Sequence, residues 1–560
     1  MNENRLKTLA DQSFDVLVIG GGIHGATASW ALARQGYSVA LVEQGDYGGA
    51  ASANSQKIIH GGLRYLQQLD LLRMRDSITA RRMSLTHLPH LTHPARFLVP
   101  TSGFFLRSKA ALLAAMMAND VISFDRNFGV DPSRHLPHGS LKGRDFLHEV
   151  AEGLSALGTG AGVWHDGFAE NTERFTLAFL MTAQRLGAVT CNYAKASRLI
   201  LDGSRIIGAE VRDALTGGQV EVRARVTINA TGGWLNELLP GCFGSMNHNW
   251  PWTRAYNILV RRRYFGSYGV GLESITEYLD ADAVLQRGKR NYFFAPWREG
   301  TIIGTMYAPF RGAPGTCGLT TEEIQAYLDE INAMYPPAEL ALNDVTFAHA
   351  GILPARPSRT MAHPSDPAKD TELLDYRQLA GIDGMLLIKG VKYTTGIQVA
   401  GKVARRVARM LGRPYQPGKN LRVDGGEDLV TPGWIDARLE GLTFDDRVLD
   451  YHAQQYGTQA LDVLGLCSEN PDWAERLNKA DAVLGADVIF AVRNEQACRL
   501  TDVVFRRTGL GSFRYPGHEA VAAAAALMAT ELGWDAEQTE EEIRGVEEEY
   551  RRLGVEHVLS

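Results

Sequence analysis

Residues 14–43 read FDVLVIGGGIHGATASWALARQGYSVALVE, and this stretch decides the fold of the chain. An apolar run leads into a glycine-rich turn, then into a segment with helical spacing and a second apolar run. Gly20, Gly22 and Gly25 have the G-x-G-x-x-G spacing of a dinucleotide-binding strand–helix–strand unit. The flanking runs match that unit as well, so we predict a dinucleotide bound at the turn.

In such a unit each glycine has a physical task. The first permits the tight turn out of the strand, the second lets the backbone approach a pyrophosphate, and the third lets the helix pack closely on the strand. The phosphates lie at the helix N-terminus, where unpaired N–H groups and the helix dipole favour anions. Glu43 ends the second strand and is placed to bind the adenosine ribose hydroxyls. The unit alone does not distinguish FAD from NAD.

Size and composition narrow the class of protein. At 560 residues the chain exceeds the usual size of one hydrophobic core, so two or three domains are expected. The net charge of −6 argues against nucleic-acid binding, which normally brings a basic bias. The five cysteines form no C-x-x-C pair, so we predict neither a disulfide framework nor a metal site. Together with a polar start to the chain and short apolar windows, this favours a cytoplasmic protein.

Three segments give expectations about local structure. ALLAAMMA at residues 110–117 predicts a core helix, with an interfacial surface helix as the alternative. The helical stretch at residues 66–88 is predicted to turn its arginines to solvent. Residues 347–360 predict a proline-rich loop in which His349 is packed rather than bound to substrate. The arginines of residues 66–88 are Arg73, Arg75, Arg81 and Arg82.

Two later segments return to the nucleotide site. A predicted strand runs into Thr231 and Gly232, as in flavoproteins of the Rossmann type, which favours FAD over NAD. Another leads into a turn at Gly390 and a long helix that begins near Thr394 and Thr395. These threonines would cap the helix and offer N–H groups to the cofactor, although capping alone explains them as well.

Taken together, these motifs resemble the FAD-dependent glycerol-3-phosphate dehydrogenases and oxidases. KIIHGGLRYL at residues 57–66 is similar to that family's K-L-I-H-G-G-L-R-Y-L, and GVKYTT at residues 390–395 is similar to its G-x-K-x-T-T. RNEQA at residues 493–497, with Arg506 and Arg507, looks like its helical cap. The resemblance implies an α/β (α+β) fold: a Rossmann-type FAD-binding domain, an antiparallel-sheet substrate domain and a C-terminal α-helical cap domain.

The same resemblance implies the domain limits and the chemistry. Residues 1–430 would hold the interleaved FAD-binding and substrate parts, with the substrate sheet mainly at 251–350, and residues 431–560 would be helical. The reaction would be hydride transfer from a carbinol carbon to flavin N5, assisted by a base. The expected cofactor contacts are Gly20, Gly22, Gly25, Glu43, Ser55, Lys57, His60, Gly61, Gly62, Leu63, Thr231, Gly232, Lys392, Thr394 and Thr395.

His60 is the candidate base, since the pKa of histidine lies near working pH; a structural histidine that holds the glycine loop is the equal alternative. Arg64 and Tyr65 would hold a polar or anionic substrate, and Lys392 would place a positive charge near flavin N1. A flavin-binding regulatory protein is the non-enzymatic alternative.

Two departures from the family leave the substrate open. GILPA at residues 351–355 carries Leu353 where the family has a phosphate-binding arginine. RAYNIL at residues 254–259 carries Asn257 where the family has a histidine. Leucine cannot make the bidentate, charge-assisted bonds that arginine gives a phosphate. Arg356 or Arg359 would have to compensate; otherwise the substrate is a different polyol or hydroxy acid.

The resemblance also bears on partners. Family members pass electrons to membrane quinone or to oxygen, and the sequence does not choose between these acceptors. Peripheral contact with the inner face of a membrane stays open, although the acidic net charge does not support attraction to anionic lipid. A homodimer is equally open.

Overall fold

The computed structural model describes residues 2–101, 108–238, 250–276, 290–356, 366–417 and 422–559. Arg359, a predicted substrate contact, lies outside these ranges. The helices are α1 Asn2–Ala10, α2 Ile23–Ala33, α3 Leu71–His87, α4 Lys109–Ile122, α5 Arg144–Val150, α6 Thr172–Arg185, α7 Leu235–Leu238, α8 Thr321–Met334, α9 Tyr376–Ala380, α10 Gly396–Leu411, α11 Pro432–Asp436, α12 Asp446–Tyr456, α13 Ala460–Gly465, α14 Gly485–Asn494, α15 His518–Leu532 and α16 Ala536–Arg552.

Two sheets account for the strands. Those numbered up to β9 are β1 Ser13–Ile19, β2 Val39–Val42, β3 Ile58–Ile59, β4 Thr92–Thr101, β5 Ser140–Gly143, β6 Gly160–Ala169, β7 Val189–Cys191, β8 Ala194–Asp202 and β9 Arg205–Asp213. The later ones are β10 Gln219–Asn229, β11 Trp252–Val260, β12 Tyr268–Glu273, β13 Asn291–Trp297, β14 Gly300–Phe310, β15 Val345–Pro354, β16 Glu372–Asp375 and β17 Met385–Lys389.

The first sheet is built around parallel strands. Its order is β16–β17–β10–β1–β2–β7, parallel from β17 to β7, and the β8–β9 hairpin joins it through β10. Helices α2, α6 and α10 pack on one face, while α1 and the β8–β9 hairpin cover the other. The nearly continuous apolar residues of β1 and β2 fit strands that are covered on both faces.

The topology brings the nucleotide motifs together. Because β1, β2, β10 and β17 are parallel, their carboxyl ends meet at one edge of the sheet. Gly20, Glu43, Thr231 and Gly390 follow these four strands and so meet at that edge, although they are far apart in sequence. The predicted Rossmann-type architecture is confirmed.

The second sheet has nine strands in the order β15–β11–β14–β13–β12–β4–β6–β3, with β5 on β6. Its neighbours are antiparallel apart from the parallel pair β4–β12. Strands β11–β15 come from the region where the sequence placed the substrate sheet, and β3–β6 come from residues 58–169. One hydrophobic core joins this sheet to helices α14, α15 and α16, so the predicted helical region packs directly against the sheet.

Three local predictions are wrong. Helix α4 lies on the surface with Met116 as its one buried residue, so it is not a core helix. Residues 345–354 form strand β15, so the first part of the predicted loop 347–360 is a strand, and residues 357–360 lie outside the described ranges. The packing predicted for His349 is confirmed by its 2% exposure. Arg73 and Arg81 of α3 are buried at 9% and 3% exposure, because their face of the helix packs inward. Among the helices that the structure describes, none has the length and hydropathy to cross a bilayer.

Candidate active site

The glycine turn has the close packing that its spacing predicts. A Cβ atom on Gly25 would lie 1.8 Å from the carbonyl oxygen of Gly20, so only glycine lets α2 approach the end of β1. Gly22 precedes α2 without a side-chain cap, and the N–H of Ile23 donates to Oγ of Ser52 at 2.9 Å. The N-terminus of α2 therefore faces the loop that follows β2.

Glu43 lies at the end of β2, beside this turn. Its two carboxylate oxygens accept the N–H groups of Gly21 at 2.6 Å and Gly45 at 2.9 Å. Burial raises the pKa of Glu43, and these backbone N–H groups oppose the shift. Each carboxylate oxygen can accept more than one hydrogen bond, so both can also receive a ribose hydroxyl.

The Gly390 turn closes over the start of α2 from the other side. A Cβ atom on Gly390 would lie 2.2 Å from Cδ2 of His24, so a larger residue would displace the histidine. Burial lowers the pKa of His24 to about 4, which keeps its imidazole neutral at physiological pH. A neutral ring leaves the phosphate-binding character of this edge to the backbone N–H groups.

A cavity of about 1400 Å³ runs from the glycine turn to the second sheet. This exceeds the roughly 300–1,000 Å³ of pockets for drug-sized ligands, as an extended dinucleotide plus a substrate requires. Most of the predicted site residues line it. They are Gly20, Gly22, Glu43, Ser55, His60, Gly62, Leu63, Tyr65, Thr231, Gly232, Asn257, Arg356, Lys392 and Thr394.

Lys57, a predicted cofactor contact, lies beneath the cavity wall. Its residue exposure is 1%, and its ammonium donates to both carboxylate oxygens of Glu173 at 2.8 Å and to Thr172 Oγ1 at 2.9 Å. The ammonium also lies 5.1 Å from the centre of the Trp297 ring. These contacts anchor the loop that carries the motif to α6.

Gly61 and Thr395, two further predicted cofactor contacts, are not among the residues that line the cavity. The N–H of Gly61 donates to Oδ1 of Asp166 at 2.6 Å, and the same carboxylate oxygen accepts a hydrogen bond from Arg81. Thr395 precedes α10 but makes no side-chain cap, because its hydroxyl donates to the carbonyl of Lys392 at 3.4 Å. The capping role predicted for Thr395 is therefore wrong.

The two motifs of the resemblance meet at Tyr65. The Lys392 ammonium lies 4.3 Å from the centre of the Tyr65 ring, and the Arg73 guanidinium carbon lies 5.2 Å from it. Arg73 is held by a bidentate pair with Asp370, at 2.8 Å and 2.9 Å. Burial, followed by the charge of Arg73, lowers the pKa of Lys392 to about 8. Two positive groups therefore lie in this wall, and one of them, Arg73, is already paired with Asp370 and Asp70.

His60 lies in the same wall, with its ring 6.1 Å from that of Tyr65 in an edge-on arrangement. Arg64 belongs to the 3₁₀ helix Leu63–Gln68, but its side chain lies outside the described part of the structure. His60 and Tyr65 therefore lie side by side in the cavity wall.

A neutral polar wall faces these residues from the second sheet. Asn257, on β11, is 1% exposed, and its Oδ1 accepts the hydroxyl of Thr305 at 2.8 Å. Gln56 donates from Nε2 to the carbonyls of Phe293 at 3.0 Å and Gly304 at 2.8 Å. These bonds fix amide and hydroxyl groups at the cavity surface, where they suit a hydroxylated ligand.

Leu353 and Arg356 lie near the end of β15. Both line the cavity. The N–H of Arg356 donates to the carbonyl of Asp366 at 2.9 Å, and the carboxylate of Asp366 accepts Arg290 at 3.2 Å. Positive groups are therefore present in this wall, though not at position 353.

Several residues beyond the predicted site also line the cavity. Gln56 borders the quoted motif and could have been found from that position. Arg73 pairs with Asp70, three residues earlier, and with Asp370, which is 297 residues away along the chain and could not be placed beside it from the sequence. Within the described ranges, no three His, Cys, Asp or Glu side chains form a group that could hold a metal ion. The additional polar lining residues include Gln56, Arg73, Asp166, Arg290, Thr305, Tyr307, Asp366, Lys369 and Arg506.

The parallel sheet, the glycine turn, the buried acid at the end of β2 and the long cavity define a dinucleotide-dependent oxidoreductase. A family model described as FAD dependent oxidoreductase matches residues 15–410, and a second, described as the C-terminal domain of alpha-glycerophosphate oxidase, matches residues 417–539. The chain belongs to the FAD-dependent oxidoreductase family. It is an enzyme, its cofactor is FAD, and it acts on a small molecule and passes electrons to an acceptor.

Relatives match over nearly the whole chain. A protein named glycerol-3-phosphate dehydrogenase from Synechocystis is 28% identical over 556 residues, which cover 96% of each chain. One of the same name from Mycobacterium leprae is 29% identical over 547 residues, covering 95% of this chain and 87% of its own. The structure of glycerol-3-phosphate dehydrogenase from Bacillus halodurans complexed with FAD matches with a TM-score of 0.75, at 21% identity, over 99% and 97% of the two chains. That likeness shows the fold.

Proposed function

We propose that the protein oxidises glycerol 3-phosphate to dihydroxyacetone phosphate. The observation that carries this proposal is the pair of cations on Tyr65, which lies in the cavity that also holds the nucleotide-binding turn. A phosphate at this wall would gain from Lys392 and, in competition with Asp370, from Arg73. Charge-assisted hydrogen bonds are about twice as strong as neutral ones. The names of the relatives support the same substrate.

The roles of individual residues follow from their places in the wall. Bound FAD supplies the hydride acceptor. We assign the removal of the hydroxyl proton to His60, which lies beside Tyr65, and substrate positioning to Tyr65 and Arg64. Asn257, on the second sheet, orients a hydroxyl group of the substrate, because a hydrogen bond from Thr305 fixes the amide of Asn257. The remaining two substrate contacts, Lys392 and Arg356, supply positive charge from two sides of the cavity.

Anaerobic bleaching of the flavin tests the proposal. Glycerol 3-phosphate should bleach the flavin absorbance of the purified protein at micromolar concentration. Lys392→Met should slow bleaching by at least a hundredfold, measured on protein loaded with FAD because Lys392 is also a predicted cofactor contact. Lys402→Met removes an exposed lysine that pairs with Asp76 on the outside of α10, so this control should bleach like the wild type. Equal rates in the two variants would exclude Lys392 from substrate binding.

Leu353 favours a second candidate, the oxidation of a different polyol or hydroxy acid. A leucine in the wall cannot pair with a phosphate, and the neighbouring surface offers amides and hydroxyls. The same experiment decides between the candidates when glycerol, lactate and glycerol 3-phosphate are titrated in parallel. Bleaching by an uncharged polyol at a lower concentration than by glycerol 3-phosphate would establish the second candidate.

We also propose that the protein contacts a membrane surface through α4 and its neighbours. Helix α4 is apolar on both sides: Ala111, Leu112, Ala115 and Ala118 line the cavity, while Leu113, Met117 and Val121 are exposed on another face. A helix that is apolar all round is normally buried. Phe124, Phe128 and Leu72 extend the exposed surface at 71%, 65% and 85% exposure.

The position of this surface favours a lipid bilayer as the occupant. It adjoins the wall of the flavin cavity, so a quinone dissolved in the bilayer would reach the cavity without crossing water. The acceptor would then be quinone, with oxygen as the alternative. An apolar surface of this kind lies in the headgroup region of a membrane and does not span it.

Vesicle binding tests the membrane contact. The triple change Met117→Ser, Val121→Ser and Phe124→Ser should lower the fraction bound to phosphatidylcholine vesicles at least threefold. Leu186→Ser with Leu201→Ser removes exposed leucines elsewhere, at 40% and 38% exposure, and should leave binding unchanged. Turnover with a soluble dye should be equal in all variants. A concentration-dependent dimer that the triple change dissociates would instead assign the surface to a second copy of the chain.

A further inference from the structure

The loop that follows Glu43 is held by the helical region of residues 485–507. Asp46 has a side-chain exposure of 1%, and Arg507 binds its carboxylate with two hydrogen bonds at 2.7 Å and 2.8 Å. Arg506 donates to the same carboxylate from Nε and to Asp502 at 2.7 Å from Nη2. Although burial opposes ionisation, Arg507 and Arg506 lower the pKa of Asp46, so the carboxylate is charged.

The shape of the chain around residue 506 makes this contact feasible. Asp502–Arg507 is a π-helical turn, in which neighbouring side chains are less widely separated around the axis than in an α-helix. Two successive arginines can therefore reach one carboxylate. Such turns are frequent at functional sites.

On its other side, the same loop touches the nucleotide-binding turn. The N–H of Gly45 donates to Glu43, and a Cβ atom on Gly21 would lie 2.7 Å from the Tyr47 ring. The hydroxyl of Tyr47 donates at 2.7 Å to Oε1 of Gln496, in the helical region. Residues 45–47 are thus clamped between the glycine turn and the helical region.

Further bonds attach the helical region to the first sheet. Arg174 makes a bidentate pair with Glu495 at 2.9 Å and 2.7 Å, and both side chains are at most 5% exposed. Asn192 donates at 2.9 Å to the carbonyl of Gln496 and at 3.2 Å to Asp46. Thr501, Phe505 and Arg506 themselves lie in the wall of the cofactor cavity.

We propose that the helical region completes the FAD site, with Asp46 as the positioning residue that couples cofactor retention to docking of that region. In this proposal, the ion pairs of Asp46 with Arg506 and Arg507 fix the position of the neighbouring Gly45. The hydrogen bond from Gly45 then orients the Glu43 carboxylate toward the ribose. Coupling between two equilibria is reciprocal. If docking of the helical region lowers the Kd of FAD by some factor, bound FAD must raise the equilibrium constant for docking by the same factor.

Measuring the Kd of FAD tests the coupling without any substrate, so its outcome is independent of which alcohol is oxidised. Asp46→Asn keeps the shape of the side chain and removes its charge, and the Kd of FAD should rise at least tenfold. Asp46→Glu retains the carboxylate and should recover most of the affinity. Arg493→Gln removes an ion pair with Glu531 on the outer side of the same region and should leave the Kd unchanged.

A second measurement separates coupling from loss of folding. Trypsin cleavage between α10 and α11 should be slowed by FAD in the wild type, and Asp46→Asn should reduce that protection by the same factor as the affinity. Arg506→Gln, which leaves the Arg507 pair in place, should show a smaller change in both quantities. The proposal is overturned if Asp46→Asn binds FAD as tightly as the wild type, or if the affinity falls while the FAD-dependent protection stays unchanged.

Discussion

The ammonium of Lys392 lies 4.3 Å from the centre of the Tyr65 ring, and the guanidinium of Arg73 contacts that ring at 5.2 Å. One aromatic ring thus carries two cations, and Asp370 and Asp70 already balance the charge of Arg73, which leaves Lys392 to gain most from a bound anion. Lys392 and Tyr65 come from two motifs far apart in the sequence. Their contact joins the Gly390 turn of the first sheet to the loop that leads into α3.

The pH dependence of turnover should report on Lys392. Burial and Arg73 lower its pKa to about 8, so the side chain is charged below that pH and becomes neutral as the pH rises through it. For an anionic substrate, kcat/KM should therefore fall by up to tenfold per pH unit above about pH 8. In Lys392→Arg, whose side chain stays charged, this descending limb should move up by more than one unit. If the descending limb of the kcat/KM profile has the same midpoint in wild type and in Lys392→Arg, a group other than Lys392 causes it.

Arg356 should contribute to substrate affinity. It lines the cavity three residues beyond Leu353, where the family's arginine is missing. Arg356→Ala should raise KM for glycerol 3-phosphate about tenfold or more, as expected for a charge-assisted hydrogen bond of about 1.5–3 kcal/mol. The control Arg409→Ala removes an exposed arginine from the last turn of α10 and should keep the wild-type KM. An unchanged KM in Arg356→Ala would place the phosphate elsewhere in the cavity.

Lys57 should matter for stability rather than for the cofactor. Lys57→Met leaves Glu173 charged and buried without its cation, which costs about 3–5 kcal/mol. The thermal midpoint should therefore fall sharply. Replacing both partners, as Lys57→Met with Glu173→Leu, should restore most of the loss and give a protein that still holds FAD. If the double variant is stable but binds no FAD, Lys57 contacts the cofactor after all.

Gly25 should be indispensable for the nucleotide site. A Cβ atom there meets the backbone of Gly20 at 1.8 Å, so Gly25→Ala must push α2 away from β1. The Kd of FAD should rise at least a hundredfold. Gly401→Ala makes the same change on α10, where a Cβ atom meets open space, and should stabilise the helix by about 1 kcal/mol. Flavin fluorescence in the filtrate after dialysis measures retention in both variants.

The sequence predicted those parts of the site whose chemistry is local. Gly20, Gly25 and Glu43 belong to one strand–helix–strand unit, so their spacing alone fixes their geometry. Parallel pairing then brought Thr231 and the Gly390 turn to the same edge, as expected for strands of one Rossmann-type sheet.

What the sequence could not predict depends on distant partners. Arg73 and Arg81 lie on a helix with a polar pattern. When buried they pair with Asp370 and Asp166, which come from other parts of the fold. The prediction for helix α4 was wrong for the opposite reason. Its apolar residues predicted a helix buried in the core, but periodicity does not reveal whether another element packs on a given face.

Asp46 and Arg507 are separated by 461 residues along the chain. Translation at about 5–20 residues per second leaves roughly 20–90 s between the synthesis of the two side chains. For that interval the nascent flavin domain carries a carboxylate whose cations have not yet been made. The wall formed by Thr501, Phe505 and Arg506 is then also missing, so a ribosome-bound chain has an unfinished flavin site. If docking of the helical region completes the FAD site, as proposed above, the chain retains flavin only after nearly all of it has been synthesised.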